Sequence, residues 1–127
     1  IGVRIMTKLF TKEHEWLLPE GDVFVVGITK YAVEQLGDII FVETPLVGTS
    51  GEKDEDCAVV ESVKAASDVY WPISGEIVDY NPAILDDPSL VNADPEGEGW
   101  FYKMKATDLS QLDELMSEEE YQAMLKE

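Results

Sequence analysis

The sequence predicts a mainly β protein with short helices, and three observations lead there. Runs such as Val23–Ile28 (VFVVGI) and Ala58–Val63 (AVVESV) read as strands bounded by turn residues. The segment Gly37-Asp-Ile-Ile-Phe-Val-Glu43 is echoed 38 residues later by Gly75-Glu-Ile-Val-Asp-Tyr-Asn81. A repeat at that spacing suits two similar β units packed as a sandwich. Finally, hydroxyl residues stand just ahead of short apolar-periodic stretches, where they can cap helices.

The elements follow in order. Residues 7–18 are extended in character, with apolar and aromatic positions spaced by polar ones. Pro19-Glu20-Gly21-Asp22 is turn chemistry: Pro presets one dihedral and Gly tolerates the other. With the strand Val23–Ile28 it predicts a hairpin over 16–28. Thr29 caps a helix over 30–36 that ends at Gly37, with Ala32, Val33 and Leu36 facing inward. Ile39–Glu43 is a strand stopped by Pro45, and residues 48–56 form a polar loop. Ala58–Val63 leads into Lys64, Val69–Trp71 returns, Pro72 breaks the run, and Gly75–Tyr80 starts a further strand. Residues 81–99, rich in Pro, Asp, Asn and Gly, read as a long irregular connection before a last strand at Trp100–Lys105. Two tail helices are expected from Ser110 with Asp113 and from Ser117 with Glu120. Leu112, Leu115, Met116, Tyr121, Met124 and Leu125 supply their packing faces.

At 127 residues the chain has the length of one domain. Ile1–Ile5 read as a leader or expression remnant ahead of Met6, which is taken as the natural start. The composition is 45% apolar, ordinary for a globular protein. Neither a membrane-length apolar run nor a secretory signal pattern is present. The single Cys57 has no partner for an internal disulfide. That fits a reducing compartment, bacterial cytoplasm ahead of mitochondrial matrix, and Cys57 reads as a small buried strand residue. The 27 acidic side chains against nine Lys or Arg give a net charge of −18. This repels nucleic acid and anionic lipid and favours partners with basic docking faces.

Other constellations are bland. Glu52–Asp56 (EKDED) lacks the alternating ligands and central glycine of a calcium loop and reads as solvated. No His/Cys cluster suggests a metal site. His14 is the only histidine, and no Ser or Cys can be assigned to it as a nucleophile. It is expected to play a structural, hydrogen-bonding part beside Trp16.

Lys64 is the informative residue. It sits between Val63 and Ala65, with Ser62, Ala66 and Ser67 nearby and no large side chain until Val69. This is a hairpin-like protrusion with a lysine near its tip, cleared of obstacles. Val60 and Val63 are expected to anchor the hairpin base. A catalytic lysine needs burial or a cationic neighbour to become nucleophilic. Here the nearest charges are Glu61 and Asp68, which favour the ammonium. The site suits being modified better than doing chemistry.

At these residues the chain resembles a known family. "ESVKAASD" followed by "PISGEI", "HEW" near the start, "GITKYAVEQLGDIIFVE" and "LVNADPEGEGWFYKMK" occur in the order found in the H protein family of the glycine cleavage system. The resemblance runs from about Phe10 to the C-terminus. It implies a barrel-sandwich hybrid of the lipoyl/biotinyl-carrier kind, with an N-terminal hairpin and C-terminal helices. It implies lipoic acid in amide linkage to Lys64 and a monomeric carrier that catalyses nothing itself. The implied partners are a pyridoxal-phosphate glycine decarboxylase, a tetrahydrofolate-dependent aminomethyltransferase, a flavin-containing dihydrolipoyl dehydrogenase and lipoyl-attaching enzymes. The carrier shuttles the aminomethyl group of glycine among them.

By the same resemblance, Glu15 and Asp68 are candidates for carboxylates in a cleft that parks the loaded arm. Two positions depart from patterns met in the family: Glu13 stands where a small hydroxyl residue can occur, and Gln35 where a histidine can occur. An H-like relay donating lipoate to other enzymes is the alternative use of the same carrier. A lysine-dependent enzyme is a third reading. Biotin carriers usually flank their lysine with Met, and lipoyl domains of 2-oxoacid dehydrogenases commonly have Asp before it. Val63 and Ala65 match neither.

Overall fold

The computed structural model describes residues 7–126, so the reading of Ile1–Met6 lies outside the described residues. The chain is mainly β with short helices, as expected. Strands β1 (Leu9–Phe10), β2 (Glu15–Glu20), β3 (Val23–Ile28), β4 (Ile39–Glu43), β5 (Ser50–Gly51), β6 (Asp56–Ser62), β7 (Ala66–Tyr70), β8 (Gly75–Tyr80) and β9 (Tyr102–Ala106) form two antiparallel sheets. The larger has the order β1-β2-β3-β9-β8-β5 and the smaller β4-β6-β7; neither closes on itself. The two echoed segments are β4 and β8, one on each sheet. Val42, Val60 and Val69 of the small sheet meet Val26, Ile77 and Met104 of the large one in a shared core. Burying such side chains contributes roughly 1.5–3 kcal/mol each, which is what holds the sheets together.

The N-terminal hairpin pairs Glu15 with Ile28 through to Glu20 with Val23. Gly21 makes the turn at φ 64°, a left-handed conformation that costs glycine little. Gly27 has a packing role: a Cβ there would lie 2.8 Å from the Trp16 ring. The absent side chain lets the indole lie flat, with its Nε1–H donating to the Ile28 carbonyl at 3.0 Å. Helix α1 (Lys30–Leu36) begins as predicted, with Thr29 Oγ1 accepting from Ala32 N, and ends at Gly37.

Three expectations need correction. The connection over 81–99 is not irregular throughout, since it contains helices α2 (Pro82–Asp86) and α3 (Ser89–Ala93). Asn81 caps α2 and Pro82 takes its first turn, where a missing N–H costs nothing. At five residues each these helices are too short for a readable period, and tertiary burial of Ile84 and Val91 holds them. The first tail helix is a 3₁₀ helix (Leu109–Glu114) capped by Asp108 rather than Ser110. The Asp108 carboxylate accepts from both the backbone N–H and the hydroxyl of Ser110, so that hydroxyl is already committed. The polar loop over 48–56 contributes the two-residue strand β5 and the first residue of β6. Helix α4 (Glu118–Leu125) begins with the expected Ser117–Glu120 capping box.

Cys57 lies half-buried on β6, where burial pushes its thiol up to about 12. It faces the buried Tyr102 hydroxyl, which has no conventional hydrogen-bond partner among the described residues. A thiol so protonated is inert at neutral pH, in keeping with the structural reading.

A second apolar cluster joins Phe10, Trp16, Val25 and Tyr121 and seats α4 on the hairpin. The Phe10 and Tyr121 rings stack with centroids 4.8 Å apart. The Tyr121 hydroxyl meets His14 Nδ1 at 2.8 Å and Thr29 Oγ1 at 2.7 Å. His14 thus has the hydrogen-bonding role expected of it, with its partner on the tail helix. Tyr121→Phe keeps the stack and leaves His14 Nδ1 without this partner; urea unfolding is expected to show a loss of about 1–3 kcal/mol. An unchanged midpoint would mean that the hydroxyl does not tie α4 to the hairpin.

Candidate functional site

The turn between β6 and β7 carries Lys64, and a buried serine shapes it. Ser62 N donates to the Ala65 carbonyl at 2.7 Å. Ser62 Oγ accepts from Lys64 N at 3.3 Å and from Ala65 N at 3.1 Å. The neighbouring Val63 N donates to the Asp38 carbonyl at 3.0 Å, tying the turn to the start of β4. Hydrogen bonds rather than packed side chains define the tip. Residues 63–68 are all exposed, so Lys64 is presented as the sequence suggested. The expectation for Val63 is corrected: it is 67% exposed and does not anchor the base, whereas Val60 is buried. Strand alternation explains the difference, because Val60 and Ser62 point inward and Val63 falls beyond the strand end.

The lysine stem lies against the end of α1. A Cβ on Gly37 would stand 3.4 Å from Lys64 Cε. Beside this contact opens a cleft of about 330 Å³. Tyr31, Ala32, Gln35 and Leu36 of α1 form one side and Ser67, Asp68 and Tyr70 of β7 another, with Glu13 and His14 between. Asp68, a predicted cleft carboxylate, is brought here. So are Glu13 and Gln35, the two positions that depart from the family pattern. Glu13 and Tyr70 also border a larger cleft of about 630 Å³ that includes Lys53 and Asp54. The smaller one, lined by Leu36 next to Gly37 and by Ser67 three residues after Lys64, is the candidate arm site.

Glu15 is placed differently from expectation. It is 2% exposed and lies beneath the cleft rather than at its surface. Thr11 is the reason. Its hydroxyl donates to Glu15 Oε1 at 2.6 Å and accepts from Glu15 N at 3.1 Å. Glu15 Oε2 accepts from Tyr70 N at 3.3 Å. One carboxyl therefore links the 11–15 turn to β7, the two elements that bring His14 and Tyr70 to the cleft. Burial raises its pKa to about 7, the bonds from Thr11 and Tyr70 oppose that rise, and the charges of Glu13 and Asp54 add to it. His14 has a positive φ of 73°, and burial lowers its pKa against the pull of Glu13. Its ring stands 4.8 Å from that of Tyr31. Sequence reasoning passed over Thr11, Tyr31 and Tyr70. Only Thr11 left a local trace, a hydroxyl four residues before an acid.

An exposed primary amine on an unobstructed turn fits amide attachment of a carboxylic acid, and the adjoining cleft offers carboxylates to a cationic end group. Among the described residues Lys64 takes no part in the ion pairs, which involve Lys8, Lys53 and Lys103. No group of metal-binding side chains is found among the described residues.

Comparison with known proteins gives the same direction. Residues 8–127 match the family model described as glycine cleavage H-protein. A glycine cleavage system H protein of Thermus thermophilus is 55% identical over 119 residues, 94% of this chain and 93% of that protein. Its counterpart in a second strain of Thermus thermophilus is 54% identical, with the same coverage of both chains. The crystal structure of a glycine cleavage system H protein from Mycobacterium marinum superposes with a TM-score of 0.87 at 38% identity, covering 98% of this chain and all of that one.

Glu15 makes a pH prediction. Its folded-state pKa, about 7, lies above the ordinary value of 4.5. The folded protein therefore holds a proton that the unfolded chain releases. Its contribution is fully present below about pH 4.5 and is lost as pH rises through about 7. At one pKa unit per ~1.4 kcal/mol, the total is on the order of 3 kcal/mol. Glu15→Gln, whose side-chain carbonyl can accept from Tyr70 N while its amide donates to Thr11 Oγ1, is expected to be more stable than wild type at pH 8 by up to that amount, with the gap closing by pH 4.5. A gap that does not change across thermal melts over this range would refute the assignment.

Proposed function

Since the chain belongs to the glycine cleavage H-protein family, its role is that of the lipoyl carrier of the glycine cleavage system, and we propose that Lys64 is the residue that bears the lipoyl group. The observation that carries this reading is the exposed Lys64 on a turn closed by Ser62, beside a carboxylate-bearing cleft. Acylation joins the carboxyl carbon of lipoic acid, delivered as an acyl adenylate, to Lys64 Nζ. The C–N bond forms, AMP leaves, and the lost proton goes to solvent. When bound, lipoate would supply a cyclic disulfide able to take up a carbon group together with its bonding electron pair, so that release of the group would leave a dithiol.

This chain's residues present, orient and shelter. Ser62 fixes the direction in which Lys64 leaves the turn. The stem of Lys64 passes close to Gly37, the residue after Leu36 of the cleft wall. There Asp68 and Glu13 offer carboxylates to a cationic amine, while Leu36 and Tyr31 provide apolar cover. Glu15 acts from below by holding the 11–15 turn to β7. Tethering makes each encounter deliver a covalently held cargo, so nothing is lost to dilution. Within the system the protein is a carrier rather than a catalyst. The partners we assign are a pyridoxal-phosphate glycine decarboxylase that loads the arm, a tetrahydrofolate-dependent aminomethyltransferase that unloads it, and a flavin dihydrolipoyl dehydrogenase that reoxidises it. No helix among the described residues is long and apolar enough to cross a membrane. From the single cysteine and the bacterial relatives we assign the protein to the cytoplasm.

Lys64→Arg keeps the charge and the exposed turn but cannot form the amide. It is expected to fold normally and to lose all activity in glycine–bicarbonate exchange with the decarboxylase; an active variant would exclude Lys64 as the attachment point. Lipoylation removes one ammonium, so treatment of the wild-type protein with a lipoyl ligase is expected to give an acidic band on isoelectric focusing. Lys64→Arg should give none.

A further inference from the structure

The exposed apolar residues are not scattered evenly. Beside Lys64, Val63 is 67% exposed, Ile40 57% and Phe41 45%. Single exposed apolar residues are ordinary, but three large ones beside a modified residue are not. Their grouping follows from the register of the small sheet. Phe41 pairs with Glu61, three residues before the lysine, and Ile40 occupies the irregularity between Ile39 and Phe41. Val63 is tied by its backbone to Asp38. The patch therefore spans the end of β4 and the β6–β7 turn.

Its border is acidic. Asp38 and Glu43 are exposed at either end of the β4 stretch, and Glu61 lies between the apolar side chains. An apolar centre with a charged rim is the layout of a protein docking surface. The rim's sign and the net charge of −18 select a partner of opposite sign.

Geometry chooses among partners. An enzyme working at the far end of a long arm can stand off from the turn. The enzyme that forms the amide must bring its active site within bonding distance of Lys64 Nζ, and so must touch the residues beside it. Resting on the reading of Lys64 as the attachment point, we propose that Ile40, Phe41 and Val63 are the docking face for the acyltransferring enzyme. That enzyme presents an apolar contact bordered by lysines and arginines.

The test uses the full-length unmodified chain with a purified lipoyl ligase, ATP and lipoic acid, and follows acylation by intact mass with the site mapped by peptide analysis. Phe41→Ser and Val63→Ser remove exposed side chains, so their melting temperatures should stay close to wild type. Each is expected to lower kcat/KM for acylation about tenfold, mainly through KM, as truncation of a central interface residue does. Leu109→Ser, 63% exposed and on the 3₁₀ helix, serves as a control and should leave the rate unchanged. Normal kcat/KM in both Phe41→Ser and Val63→Ser, with wild type acylated at Lys64, would overturn the docking face alone. Wild type left unacylated, or acylated at another lysine, would instead overturn the assignment of Lys64.

Discussion

The bonds made by Ser62 are the constraint on which the presentation of Lys64 depends. A residue offered to other proteins cannot be held by bulky neighbours, because those would block access. The fold transfers the holding to the backbone. A buried hydroxyl takes the N–H groups of Lys64 and Ala65, and the Val63 N–H goes to Asp38 on the neighbouring strand. Buried polar groups left without partners are costly, so this arrangement resists rearrangement although nothing large packs on it. Exposure and rigidity, which usually oppose each other, coexist at the turn.

The cleft beside the lysine is assembled by similar means from distant parts of the chain. Glu13 and His14 come from the N-terminal turn, Tyr31 and Gln35 from α1, and Asp68 and Tyr70 from β7. Two polar links hold these walls in register. Glu15 binds the N-terminal turn to the backbone of β7, and the Tyr121 hydroxyl joins His14 to the cap of α1. The tail helix therefore has a part in the site without lining it. Its ring stacks on Phe10 and its hydroxyl sets the position of His14, so packing energy at the C-terminus is converted into geometry at the cleft.

Charge acts on two scales. Over the whole surface, a large negative excess sets which partners are attracted and disfavours nucleic acid. Within the cleft region, burial rather than net charge decides behaviour. Glu15 is brought near neutrality because it lies out of water, an effect that Glu13 and Asp54 only reinforce. Residues that look alike in sequence thus differ in kind. Asp68 is a solvated carboxylate at the cleft, whereas Glu15 is a structural link beneath it.

Local chemistry made much of this legible. The strands, the Thr29 cap, the Ser117–Glu120 box and the bare surroundings of Lys64 are short-range patterns, and the sequence alone determined them. The echo of Gly37–Glu43 in Gly75–Asn81 likewise pointed to a β unit on each sheet. What the tertiary structure decided depends on contacts between residues far apart in the chain. The depth of Glu15 follows from Thr11 and Tyr70, the partner of His14 is a tyrosine 107 residues away, and helices α2 and α3 exist because Ile84 and Val91 find a core. The exposure of Val63, by contrast, follows from a local pattern. Val63 stands three residues after the inward-facing Val60, so strand alternation turns it outward, and the strand itself ends at Ser62. A sequence states which groups are available and how the chain is locally biased; which of them meet, and how much water stays between them, is fixed only when the two sheets close on their common core.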